Sequence, residues 1–409
     1  MSTQQTKERP PAGFYLLGPA FVAAIAYVDP GNVAANVSAG AQFGYLLVWV
    51  IVLANVMAFV VQYLSAKIGL VTGRTLPEAV ADHTRRPTRI AYWLQAELVA
   101  MATDLAEVVG GAIALYLLFD LPLVLGGVIT GAVSLLLLFI QDRRGQRTFE
   151  RVITGLLAVI AIGFLTSLFV DPPAPGPVLA GLVPGFDGAE SVLLATAMLG
   201  ATVMPHAVYL HSGLARDRHG NPDPGPGRRR LLRITRWDVG LAMVIAGTVN
   251  MAMLLVAAHN LQGGDNTDSI EGAFNAVRDT LGSTVALFFA IGLLASGLAS
   301  TSVGAYAGAM IMQGLLRVSI PLLARRLITL VPALLILGIG FDPSRALVLS
   351  QVVLSFGIPF ALIPLVRLTS NRELMGDDVN HPVTTAFGWS IAGVITVLNV
   401  VLIYLTVTG

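Results

Sequence analysis

Uncharged apolar runs recur along nearly the whole chain, and many exceed the roughly 20 residues that carry an α-helix across a bilayer. Lipid offers an open backbone no hydrogen bonds, so runs of this kind fold as spanning helices that satisfy their own peptide groups. With 55% hydrophobic and only 12% charged side chains over 409 residues, the chain reads as an all-α integral membrane protein. The net charge of +1 averages over a sharp sorting of signs, since long uncharged stretches alternate with short Arg-bearing ones. It gives no reason to expect a nucleic-acid partner. There is no Cys, which excludes disulfides, thiolate metal sites and a cysteine nucleophile. The first dozen residues, with Lys7, Arg9, Pro10 and Pro11, are too short and polar for a signal peptide, so the span that follows is expected to stay in the mature protein.

Apolar runs between charged or Pro/Gly-rich breaks mark eleven spans, near 14–36, 42–70, 91–118, 121–140, 151–170, 190–214, 234–258, 282–314, 326–340, 345–369 and 383–407. The ninth is short for a perpendicular crossing and is expected to take a turn from its flanks. Of the 25 Lys and Arg residues, all but Arg278 and Arg345 then fall on one side, which the positive-inside rule makes cytoplasmic. The N-terminus is expected inside and the C-terminus outside. The basic stretch 228–236 reads as part of this topology signal, and the Pro/Gly-rich segments Asp171 to Glu190 and His219 to Arg230 read as turns or flexible links.

Two spans, the first and the sixth, break at polar clusters. In the first, Asp29-Pro30-Gly31-Asn32 stops helical hydrogen bonding, because Pro30 lacks an N–H and restrains its predecessor while Gly31 tolerates unusual dihedrals. Asp29 then offers a charge, Asn32 an amide oxygen, and Ala26 a backbone oxygen just before the break. The plainer reading is a Pro-kinked helix with Asp29 as an internal cap. In the sixth, Pro205 disrupts Met204-Pro205-His206 and releases the carbonyl of Ala201 four residues earlier. A thioether adds little for Mg²⁺ or Ca²⁺ but suits softer ions, so Met204 is the most discriminating donor, pointing to Mn²⁺, Fe²⁺, Co²⁺ or Cd²⁺. Breaks five spans apart suggest two five-helix repeats with an eleventh helix appended, and an odd number of helices per repeat requires the second copy to be inverted. Inverted repeats commonly hold a substrate between broken helices at the bilayer midplane. The repeats are expected over 14–170 and 190–369, with 383–407 as the extra helix, all within one transport domain covering 1–409.

These motifs and the eleven-span pattern resemble those of the natural resistance-associated macrophage protein (Nramp) family, the proton-coupled manganese and iron transporters, in its bacterial form. The resemblance covers nearly the whole chain. It implies the inverted-repeat fold of sodium-coupled amino-acid transporters, and metal ligation by Asp29, Asn32, Met204 and the Ala201 carbonyl, with the Ala26 carbonyl and Gln351 joining in some conformations. It also implies import of Mn²⁺ and Fe²⁺, extending to Co²⁺ and Cd²⁺, by alternating access in the inner membrane. Protons are the coupling ion, no resident cofactor is needed, and beyond lipid no obligate protein partner is evident.

A second cluster concerns those protons. Glu97, Asp104 and Glu107 fall seven and three residues apart on one broad face of span 3, an expensive arrangement unless they line water, pair with cations or carry protons. Arg325 and Arg326 at the start of span 9 are the candidate counter-charges. The resemblance implies a proton pathway from the Asp29 region through Asp104 and Glu107 towards these arginines, with Glu97 nearby. A buried ion-pair network that only fixes helix packing is the alternative. His206 is assigned an outer or proton-linked role rather than direct ligation, since residues two apart on an intact helix point about 200° apart, and His211 is read as a lining or gate residue.

A channel could use the same ligands, although repeated broken helices favour alternating access. An amino-acid transporter is disfavoured because Asp29 would repel a substrate carboxylate. No metallohydrolase spacing such as His-Glu-x-x-His is present, so the chain is not expected to be an enzyme, and no signalling domain is visible for a metal sensor.

Overall fold

The computed structural model describes residues 18–144, 146–262, 269–318 and 322–408, and the regular elements among them are all helical. Lys7 and Arg9 lie outside the described residues, as do the side chains of Arg143, Arg144, Arg147 and Arg326. The first broken span consists of α1 (Pro19–Ile25), a 3-10 turn over Ala26–Val28, and α2 (Pro30–Phe43). It is followed by α3 (Val48–Thr72), the short α4 (Leu76–Asp82), α5 (Arg86–Phe119), α6 (Leu123–Arg144), α7 (Gln146–Val170) and the short α8 (Pro175–Ala180). The second broken span is α9 (Gly188–Thr202) and α10 (Pro205–His219). The chain continues through α11 (Pro226–Asn260), α12 (Ile270–Leu281), α13 (Ser283–Leu316), α14 (Leu322–Gly338), α15 (Pro343–Thr369), the single turn α16 (Arg372–Met375) and α17 (Pro382–Thr408).

Among the described residues eight segments are long and apolar enough to cross a bilayer, with α9 and α10 taken as one, and the first, fourth and ninth spans supply shorter apolar helices. Boundaries moved where local chemistry decided them. The first span runs on to Phe43 rather than 36, because the chain turns only at Gly44, whose φ of 56° favours glycine. The ninth begins at Leu322 and reaches 17 residues, about 25 Å, by taking the expected turn from its flank. The seventh begins at Pro226, so the arginines of 228–236 lie on a helix rather than in a link.

The packing reveals the symmetry. α1 packs on α10 and α2 packs on α9, so the two broken spans run antiparallel. Shifting every partner by five spans maps one set of neighbours onto another: α3 packs on α10 as α11 does on α2, and α5 packs on α15 as α13 does on α7. This is the inverted-repeat architecture. The segment after α15 is docked rather than loose: Met375 is buried against Ala66, Leu70, Leu231 and Leu232, Arg228 pairs with Asp378 at 2.8 Å, and Lys67 donates to Asn380 at 2.9 Å. Part of the basic stretch therefore has an internal partner, Asp378.

Candidate metal centre and the polar face of α5

Pro30 starts α2 afresh, with Asp29 as its N-cap in an extended conformation. One carboxylate oxygen of Asp29 accepts from the Asn32 backbone N–H at 2.7 Å and from the Asn32 side-chain amide at 3.0 Å. The other accepts from the Gln351 amide of α15 at 3.3 Å. Across the second break, Pro205 has no N–H to offer Ala201, and that carbonyl instead accepts from the Asn32 side-chain amide at 2.8 Å. Asp29 thus acts as the internal cap of the plainer reading and at the same time joins both breaks and span 10 in one buried network. Met204 is the N-cap residue of α10 and is fully buried at the same break, as is Ala26 at the first. Two amide oxygens, Asn32 Oδ1 and Gln351 Oε1, are buried and accept no hydrogen bond. Close approach is enforced by glycine: a methyl group at Gly31 would overlap the Gln351 amide, and one at Gly110 of α5 would overlap the Pro30 ring.

Backbone groups released by the first break are held by residues the sequence reading did not single out. The Tyr27 carbonyl accepts from Asn250 of α11 at 2.8 Å, and Asn250 in turn accepts from Asn36 of α2 at 3.0 Å. The Val28 carbonyl accepts from the Ser296 hydroxyl of α13 at 2.6 Å. Their only sequence signal is an uncharged polar residue in mid-span, which many membrane helices carry for packing alone.

A polar cavity of about 390 Å³ lies along α2, α9 and α15, with Ser38, Gln42, Glu190, Asp342 and Ser344 in its walls. On α5, Asp104 and Glu107 are buried, and Glu97 accepts from Arg325 at 3.1 Å. Arg325 also donates to the Ala305 carbonyl at 3.3 Å. Of the two candidate counter-charges, Arg325 is thus paired with Glu97. His206 lies on the first turn of α10, its Nδ1 3.3 Å from the Thr103 hydroxyl beside Asp104. His211 sits deeper along α10, fully buried, its Nδ1 2.7 Å from the Gln62 side-chain oxygen on α3. Among the described residues no three His, Cys, Asp or Glu side chains cluster as a metal site. A centre of the kind expected from the sequence, one carboxylate with amides, a thioether and carbonyls, would not require such a cluster.

Inverted repeats with both pseudo-equivalent helices broken at a buried network of Asp29, Asn32, Gln351 and the Ala201 carbonyl mark a secondary transporter for divalent metal ions, not an enzyme. The family described as natural resistance-associated macrophage protein-like matches residues 20–405. The chain belongs to the Nramp family. It is 73% identical over 406 residues to the divalent metal cation transporter MntH of Mycobacterium tuberculosis, covering 99% of this chain and 95% of that protein. A crystal structure of a mutant manganese transporter from Eremococcus coleocola superposes with a TM-score of 0.85 at 30% identity, covering 97% of this chain and 88% of that one. The nucleobase-cation-symport-1 family transporter Mhp1 shares the fold at 17% identity, with a TM-score of 0.61 over 94% of this chain and 90% of that one.

Proposed function

We propose that this chain imports Mn²⁺ and Fe²⁺ in symport with protons by alternating access, and that Asp29, Asn32, Met204 and the carbonyls of Ala201 and Ala26 form the ion's shell, with Gln351 closing it. The observation that carries this reading is the buried pair of unsatisfied amide oxygens, Asn32 Oδ1 and Gln351 Oε1, flanking the one carboxylate at the two breaks. Buried acceptors without donors are costly in a membrane interior, and a cation would satisfy both. Metal would approach through the polar cavity along α2, α9 and α15.

Protons take a separate route over the face of α5, through Asp104 and Glu107 towards Arg325 and Arg326, with Glu97 as the paired carboxylate and His206 linking the metal pocket to that face. His211 with Gln62 serves as a gate below the site. The repeats are assigned to 14–170 and 190–369, with 383–407 as the extra helix, in one domain of the inner membrane. The N-terminus is cytoplasmic and the C-terminus external, and no obligate protein partner is required. Supporting this reading are the charge sorting of the loops, the antiparallel packing of the broken spans, and the likeness to transporters that are named for manganese and divalent metals.

The test is simultaneous measurement of Mn²⁺ and proton uptake in proteoliposomes. Uptake of both, saturable in metal and absent in Asp29→Ala, is expected. Proton-independent, non-saturating metal flux would instead indicate a channel.

A further inference from the structure

The Val28 carbonyl directly precedes Asp29, and its partner, Ser296, belongs to α13 on the far side of the sequence. Positions 296, 300, 304 and 308 recur every four residues, so each lies about 40° round from the last and together they wind across one broad side of that helix. Ser296 holds the peptide before Asp29, and the Ser300 hydroxyl is turned back to the Ser296 carbonyl at 2.8 Å. One turn further on, a methyl group at Gly304 would press on the Glu107 carboxylate, and one at Gly308 would overlap the Arg325 guanidinium. One broad side of α13 thus meets, in order, the Val28 carbonyl before Asp29, the Glu107 carboxylate, and the arginine paired with Glu97.

We infer that Ser296 is a positioning residue for transport: it fixes the Val28–Asp29 peptide on the same α13 face that seats Glu107 and Arg325, so that displacement of the metal-binding break is felt along the carboxylate-bearing side of α5. The inference rests on the function proposed above. Val28 O is fully enclosed, so the Ser296 hydroxyl replaces a helical hydrogen bond that the break removes, and without it Asp29 has one fewer constraint on its direction. Ser300 is the natural control, being equally buried on the same face but bonded only within its own helix.

The experiment compares Ser296→Ala, Ser296→Cys and Ser300→Ala with the unsubstituted chain in proteoliposomes, reading the KM for Mn²⁺, the maximal rate, and protons moved per metal, after melting curves in detergent establish folding. For Ser296→Ala, loss of a buried hydrogen bond to the site backbone should raise KM about fivefold and change the proton-to-metal ratio. Ser296→Cys, with a weaker donor, should fall between, and it carries the test if the alanine variant does not fold. Ser300→Ala should stay within about twofold in both readouts, as expected for a bond internal to one helix. Unchanged KM and ratio in folded Ser296 variants, or the same change in Ser300→Ala, would overturn the inference while leaving the proposed function intact. Absence of Mn²⁺ binding and uptake by the unsubstituted chain would overturn both.

Discussion

Met204 is the residue whose chemistry most narrows the choice of ion. It is buried at the α10 N-cap, and in the proposed shell it is the soft donor, so removing it would leave oxygen donors that favour harder ions. Met204→Ala should retain Mn²⁺ transport better than Cd²⁺ transport and should weaken rejection of Ca²⁺ and Mg²⁺. Competition of each metal against Mn²⁺ uptake measures this, and an unchanged order of preference would remove Met204 from the shell. Asn250 tests the scaffold in another way. It donates to the Tyr27 carbonyl and accepts from Asn36 while almost fully buried, so Asn250→Ala leaves two polar groups without partners. A loss of about 1–3 kcal/mol is expected, read as a lowered melting temperature in detergent.

At the scale of elements, the site depends on how closely α2, α5 and α15 approach one another. Gly110 of α5 faces the Pro30 ring with no room for a methyl group, so Gly110→Ala must push α5 away from the first break. Overpacking of this kind costs about 1–3 kcal/mol, and it should lower both stability and Mn²⁺ affinity. In the proposed mechanism α5 carries the protons and the two breaks carry the metal. Asp104→Asn should leave metal binding by calorimetry largely intact while altering proton uptake and the pH dependence of transport. If proton uptake and its pH dependence are unchanged, the buried acids of α5 are better read as packing elements.

At the scale of the whole molecule, the two broken spans lie in antiparallel contact, and α2 of the first and α9 of the second line a polar cavity together with α15. Orientation can be tested cleanly because the chain has no Cys. A cysteine at exposed Asp223, in the loop before α11, should be shielded from an impermeant reagent in intact cells, and one at exposed Asp187, before α9, should react. The reverse pattern would invert the assigned topology.

The spans and the two breaks were legible in the sequence because their causes are local. Apolar length decides what can cross a bilayer, and Pro30 and Pro205 remove N–H groups wherever the rest of the chain lies. The candidate donors Asp29, Asn32 and Met204 were legible for the same reason. The partners of the released carbonyls were not. Nothing near Asn32 in sequence indicates that its amide would take the Ala201 carbonyl 169 positions away, or that Ser296 would hold Val28 from 268 positions away. Asn250, Ser296 and Gln62 are ordinary polar residues within apolar helices until packing sets each against a particular atom. Pairing of this kind depends on which faces the inverted repeats press together, and only the tertiary structure decides that.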